Sequence, residues 1–543
     1  MPVENSEHKG DGRIFAGIDI GTNSIRLAVI RLEGGKSTTL AVHREVVRLG
    51  EGEFESNRMT EAAIRRGVLV CSRFADVARG FGATDIIALA TSAVREAENR
   101  EEFIERVREE AKLEVSVISG VEEARLIWLG VSTGIELGEK HAVLIDIGGG
   151  STEVIVGGSA GHIMLDSMKL GAVRLSNQFF KNAGVVTPEQ FAKVMDYVKG
   201  VATQPIRRVR EQGFDLMLGS AGTITTMASI VSRMHPEMQT GGQRYPTIQY
   251  SHLKETVMQL CKLTLEERRK VPGMDPGRAE IILGGASILL TLMSEFGAES
   301  ITVSDRGLRD GIFEDHALRQ RASQDGAKQL SVRMRSILQL ARSCNYEVEH
   351  AAHTARLALS MFDQLKAIRC LRYGDTDREI LHYAGLVHDV GMFLSHSNHQ
   401  KHAYYLIRNS DLLGFTDREI DLIANVALYH RKGIPKKRHA NLADLDRDDR
   451  KRVCTLASLL RVAEGLDRSH LGLVKDVTIS KLTKPTRFVL TLTSESDCQL
   501  EVWGVQNNRD LFEYTFGAPL SVQVNQLQSS QSEGSVVATK ETR

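Results

Sequence analysis

The chain has 543 residues, with 69 Lys+Arg against 69 Asp+Glu and a formal net charge of zero. At roughly 100–200 residues per domain, this length predicts about three or four domains, and 42% hydrophobic with 25% charged residues excludes a chain disordered throughout. Aromatic residues at 5% argue against stacking platforms for single-stranded nucleic acid, and a zero net charge supplies no global field for DNA, RNA or another polyanion.

The N-terminal MPVENSEHKGDGR is polar and lacks the apolar core of a signal peptide. No run of about 18 apolar residues predicts a membrane span. Six scattered cysteines without a CxxC pair suit a reducing compartment. The expectation is a cytoplasmic protein.

An internal repeat comes first along the chain. Residues 16–30 read AGIDIGTNSIRLAVI and residues 143–157 read VLIDIGGGSTEVIVG, which sets Asp19 on Asp146, Gly21 on Gly148 and Ser24 on Ser151. Each copy predicts a strand, a Gly-containing tip and a returning strand. Two such hairpins predict two related subdomains facing each other. Between them the texture alternates: a helix from Met59 to Phe81, a strand Asp85–Ala90, a helix Glu101–Ala111 and a strand Leu113–Ile118. After Asp146 come helices near 188–211 and 251–262 and strands at Asp215–Leu218 and Ser300–Ser304, an α/β pattern. Residues 322–328 predict a linker. The chain is then nearly all helix to about residue 470, mildly basic, and holds ten of the 17 histidines. Strands near Val474–Ile479 and Phe488–Leu492 and a helix Asn508–Phe516 predict a small cap, and residues 526–543 a disordered tail.

The second tip, Gly148-Gly149-Gly150-Ser151-Thr152, offers unobstructed backbone N–H groups and two hydroxyls, a nest for phosphate oxygens. Thr22, Asn23 and Ser24 face it as donors from the first tip, beside Gly21. Asp19 and Asp146 end buried strands, where a lone carboxylate is costly unless paired or bound to a cation. Asp146 with Glu153 is suited to Mg²⁺ or another divalent cation; Asp19 is equally suited to accepting turn N–H groups. Ser119 and Glu122 have capping-box spacing, which leaves Glu123 at the positive end of a helix as a candidate general base. Arg95 follows a strand end, where α/β folds place ligands; a surface ion pair with Glu96 or Glu98 is the alternative. A third turn, Gly219-Ser220-Ala221-Gly222-Thr223, opens a helix and suits an anion or simply a tight strand–helix join. Further on, His388-Asp389 with the distant His350 and Glu464 has the composition of a divalent metal site, against a metal-free histidine-rich core. Arg431, Lys432, Lys436, Lys437 and Arg438 form a basic run around a turn, a solvated loop or a grip for a long polyanion.

Taken in order, DIGTNS, TSAVREA, ISGVEEARL, DIGGGSTE, GSAGT and RGLRDG resemble the exopolyphosphatase/guanosine pentaphosphate phosphohydrolase (Ppx/GppA) family, densely over residues 14–320. The segments AGLVHDVG, HRKGIP and LRVAEGLDRSH resemble the helical extension of its longer members. The resemblance implies two actin-like, RNase H-like α/β lobes around a cleft (12–135 and 136–320, the last helix free to return to the first lobe), an all-α HD-like domain (329–470) and a small α+β cap (471–525). It implies hydrolysis of a terminal phosphate from a phosphoanhydride chain, with Glu123 catalytic, Arg95 and the 148–152 loop on phosphate, Asp146 and Glu153 at magnesium, and a homodimer. Glu464 stands where the HD pattern has Asp. Inorganic polyphosphate is the expected substrate and guanosine pentaphosphate the alternative. A sugar or acetate kinase and a non-catalytic polyphosphate or nucleotide sensor compete from other classes.

Overall fold

A computed structural model describes residues 13–33, 36–52, 56–181, 184–236, 245–324, 331–443 and 445–526. The expected disordered tail, most of the N-terminal segment and part of the linker lie outside them. The chain divides into two compact units, residues 1–329 and 330–543.

The first unit contains two sheets. Strands β1 (Arg13–Ile20), β2 (Ser24–Glu33), β3 (Lys36–Val46), β4 (Asp85–Ala90) and β5 (Val115–Val117) are ordered β3-β2-β1-β4-β5. The second sheet comprises β6 (Ala142–Ile147), β7 (Thr152–Gly158), β8 (Gly161–Met168), β9 (Leu216–Ser220), β10 (Thr247–Gln249) and β11 (Ser300–Val303), ordered β10-β11-β9-β6-β7-β8. Setting β10 aside, the two orders are the same. In both, the first strand pairs antiparallel with the second and parallel with the fourth. The sequence repeat is therefore a repeat of topology. β1 and β6 are almost wholly apolar because each is flanked by strands and covered on both faces, as central strands require.

The helix Glu61–Gly80 begins at Thr60, whose hydroxyl accepts from Ala63 N–H, and packs its apolar stripe on the first sheet. The predicted single helix near 188–211 is two, Pro188–Val201 and Thr203–Gln212, broken at Ala202 just ahead of Pro205. The helix Ile282–Phe296 is apolar around its whole circumference, which fits its burial in the core of the second sheet. The helix Leu308–Gln324 returns to β1, with Phe313 edge-on to Phe15 at 5.3 Å.

The second unit is helical from Val332–Ser343 to Arg447–Gly465 and closes with a three-stranded sheet: β12 (Val474–Thr483), β13 (Thr486–Ser494) and β14 (Leu520–Gln526). The β13–β14 pair is parallel, so the helices Gln499–Asn508 and Asp510–Phe516 serve as its crossover. Its core runs from Ile337 to Leu520. No helix among the described residues is long and apolar enough to cross a membrane.

Candidate active site

Between the two sheets of the first unit lies a cleft of about 230 Å³. Its floor is built by the duplicated hairpins. Gly21 N–H donates to Ser24 O at 3.2 Å, and Gly148 N–H donates to Ser151 O at 3.0 Å, so the same bond closes both tips. The tips touch: a Cβ added at Gly149 would come within 2.8 Å of Thr22 Cβ. Gly171 packs so closely behind the second tip that its Cβ would meet Gly149 O at 2.2 Å, which restricts that position to glycine. Asp19, Gly21, Thr22, Asn23, Ser24, Asp146 and Gly148 to Ser151 all line the cleft. Asn23 Nδ2 is buried there without a protein partner.

Glu123 enters from the helix Gly120–Ser132. Ser119 caps this helix as its spacing predicts, its hydroxyl accepting from Glu122 N–H. The Glu122 carboxylate meets Arg125 in a buried fork (2.7 and 2.8 Å), and Arg125 also reaches Asp315 at 2.8 Å. The fork ties this helix to Leu308–Gln324. Two glycines permit the contact: a Cβ at Gly311 would lie 1.8 Å from Leu126 O, and one at Gly130 2.3 Å from Gly307 O.

Glu123 is 7% exposed. Burial pushes its pKa up to about 7; Arg95, 3.0 Å away, opposes the rise, and Asp19 and Asp146 add to it. Asp146 is raised to about 6, chiefly by burial, against the hydrogen bond it accepts from Ser220. Burial raises Asp19 as well, with Arg26 and Arg309 opposing. Three acids that repel one another sit among arginines, an arrangement suited to proton transfer near neutral pH.

Several expected residues stand elsewhere. Arg95 does not form a surface pair with Glu96 or Glu98; it is largely buried, donates to Glu123 and to Ile118 O, and lines a neighbouring pocket with Ser151, Ser167 and Lys169. Glu96 pairs instead with Arg174 and Lys169, and Glu98 lies 3.8 Å from Arg58. Thr152 is fully buried and its hydroxyl donates to Leu170 O at 2.7 Å, so it presents no donor to the cleft. Gly219 and Thr223 are packing positions: a Cβ at Gly219 would meet Ile301, and Thr223 lies against Gly285. Gly222 does line the cleft, where Arg278 lies over it so closely that a Cβ would fall 1.7 Å from its Nη2.

The cations that sequence reasoning missed are Arg26, Arg278, Arg306 and Arg309. Burial, with repulsion from Arg44 and Arg26, lowers Arg278 to about 9. Arg26 is the register partner of Asp19 across the first hairpin, a position the motif DIGTNSIR contains. Arg306 and Arg309 lie in the RGLRDG motif; Arg278 has no local signal.

Glu153 is opposite Asp146 in register but is fully buried and outside the cleft lining. Its Oε1 accepts from Ser167 at 2.8 Å, its Oε2 has no partner, and burial followed by Glu123 and Asp146 raises it well above the usual carboxylate range. The carboxylate of Asp146 beside the phosphate-loop turn suits a divalent cation such as magnesium, which it would hold. Glu153, expected as a second ligand, lies behind Asp146 in register with its Oε2 unpartnered.

In the second unit the four expected metal residues do meet. His350 Nε2 lies 3.0 Å and His388 Nε2 3.1 Å from Glu464 Oε2, and the pair lie 3.8 and 3.6 Å from Asp389 Oδ2. Two histidines outside the expectation join them: His399 Nε2 and His430 Nε2 are 3.2 and 3.5 Å from Asp389 Oδ1. All five residues of the basic run, Arg431, Lys432, Lys436, Lys437 and Arg438, are exposed, and Arg431 in addition directs a guanidinium nitrogen to His399 Nδ1 at 3.2 Å.

Residues 28–320 match the Ppx/GppA phosphatase family, and residues 332–509 match domain III of that phosphatase family. Among solved structures, the chain is similar to an exopolyphosphatase from Cytophaga hutchinsonii, at 25% identity over 58% of this chain and 99% of that one, with a TM-score of 0.53. It is likewise similar to an exopolyphosphatase-like protein, at 27% identity over 57% of this chain and 100% of the other, with a TM-score of 0.52. With its paired α/β lobes, the facing hairpins between them and a helical unit following in the chain, the chain belongs to the Ppx/GppA phosphatase family.

Proposed function

We propose that the protein is an exopolyphosphatase that removes the terminal phosphate of inorganic polyphosphate. The observation that carries this reading is the composition of the cleft: a buried glutamate poised near neutrality among arginines and backbone turns, with no aromatic side chain among its described lining residues. A guanine base would call for a stacking or edge-reading surface; repeated phosphates call only for charge and N–H donors.

Glu123 accepts the proton of a water that attacks the terminal phosphorus in line. The P–O bond to the next phosphate breaks, and the shortened chain leaves with the bond electrons on its oxygen. Arg26, Arg278 and Arg309, with the tips of the two hairpins, hold the phosphoryl oxygens as their charge redistributes. Arg95 acts behind Glu123, fixing its orientation and holding down its pKa. Asp146 would hold a magnesium ion, which would supply further neutralisation of phosphate charge when bound. The distal chain is held by Arg431, Lys432, Lys436, Lys437 and Arg438, and the active species is a homodimer.

Phosphate release with Mg²⁺ from long-chain polyphosphate, short-chain polyphosphate and guanosine pentaphosphate tests the reading. Faster release from polyphosphate is expected; preference for the nucleotide assigns the alternative substrate, and binding without release makes the protein a sensor. Glu123→Gln should lower kcat by about 10²–10⁴-fold with KM little changed. Charge reversal of Lys436 and Lys437 should raise KM for long chains and leave short ones unaffected; equal effects on both would remove the distal grip.

A further inference from the structure

We propose that the C-terminal unit holds a two-cation centre bridged by Asp389, with one ion among His350, His388, Asp389 and Glu464 and a second among Asp389, His399 and His430. Both donor sets come within mutual reach, every ligand atom of a set lying within 4.8 Å of the others, and they share only Asp389.

The spacing is that of a coordination polyhedron. Two donors each about 2.1 Å from one ion stand about 3.0 Å apart at a right angle and about 3.4 Å apart at the tetrahedral angle. The donor pairs of the first set lie at 3.0, 3.1, 3.6 and 3.8 Å. In the second set, His399 Nε2 and His430 Nε2 are 3.2 Å apart, and Asp389 Oδ1 is 3.2 and 3.5 Å from them. At these distances Asp389 Oδ1 still makes no hydrogen bond of acceptable geometry. It faces both imidazoles at these distances.

The outer contacts turn the rings the same way. His388 Nδ1 is 2.7 Å from Gly385 O, and His430 Nδ1 is 2.6 Å from Ala427 O. A carbonyl only accepts, so each Nδ1 carries a proton and each Nε2 is turned inward toward the carboxylates, where release of any proton it carries would free a lone pair for an ion. His350 Nδ1 is held by Asp467 Oδ2 at 2.8 Å, the carboxylate–histidine arrangement that orients metal ligands. His399 Nδ1 faces His396 O at 3.1 Å and Arg431 at 3.2 Å; a cation at Nε2 selects the bond to the carbonyl. Four imidazoles and two carboxylates, nearly all buried, specify divalent first-row transition ions such as zinc, manganese or iron over the magnesium suited to the cleft. Glu464 in place of an aspartate is accommodated because its longer side chain reaches both His350 and His388 through one oxygen.

The full-length protein, stripped with chelator and dialysed against Zn²⁺ or Mn²⁺, should retain two transition ions per chain by elemental analysis. His430→Gln should reduce this to one, and Asp389→Asn should abolish both; circular dichroism checks that each variant is folded. Asp146→Asn should leave the count at two, which separates this centre from the cleft. Co²⁺ titration of the unaltered chain supplies a readout independent of folding variants, with d–d absorption bands saturating at two equivalents. Saturation at one equivalent, no retained ion, or full occupancy in folded Asp389→Asn protein would overturn the proposal.

Discussion

Glu123 carries a balance of charges that can be read out by pH. A base must be deprotonated to act, so kcat/KM should rise with pH through a midpoint near the pKa of about 7 and then level off. Arg95 stabilises the ionised form from 3.0 Å, so Arg95→Gln should raise that pKa and move the acidic limb of the profile toward alkaline pH by about one unit. A profile that loses height without moving would make Arg95 merely structural. Such a residue is only partly legible in sequence. Glu123 and Arg95 sit in short motifs at the ends of regular elements, where their chemistry can be suspected from position. That they touch each other is a fact of packing over 28 positions of chain. Thr152 misleads for the same reason: the hydroxyl looks available beside four loop residues, and its acceptor, Leu170 O, comes from the far end of the next hairpin.

At the scale of elements, the duplicated hairpins are readable because their tips demand particular residues at particular places. The glycine whose N–H closes the turn and the serine whose carbonyl receives it recur in both copies. The helix Leu308–Gln324 gives no such signal, although it decides where Glu123 points. It lies against the helix Gly120–Ser132 through Gly311 and Gly130 and is locked by the Arg125 fork. Gly311→Ala should force the two helices apart, cost about 1–3 kcal/mol of stability as overpacking does, and lower kcat more than it raises KM, because the base is displaced while most phosphate contacts remain. A stable variant with normal turnover would disconnect that helix pair from catalysis. His399 and His430 were equally hidden: HRKGIP draws notice for its cations, whereas the histidine at its head is the residue that reaches Asp389.

Each of the two units of the whole molecule has a core of its own. The first is built around two twisted sheets and the second around helices and a three-stranded cap. Units with separate cores are expected to unfold separately. Calorimetry should therefore resolve two transitions, of which a phosphate analogue with Mg²⁺ raises one and a transition-metal chelator lowers the other; a single transition moved by both would mean one cooperative molecule. The net charge of zero does not oppose the proposed substrate, because the cleft offers a polyanion local arginines and N–H groups in place of a field of the chain as a whole.

The repeat has one more consequence. Its two tips share a hydrogen bond but differ in what they present: Thr22, Asn23 and Ser24 offer side chains, whereas Gly148, Gly149 and Gly150 offer only the main chain. A backbone grip does not change when side chains drift, and a side-chain grip does. The two copies are thus unequal under mutation. With phosphate held as proposed, selectivity among ligands is open to retuning through the first tip, while the affinity for phosphate itself stays anchored in the second.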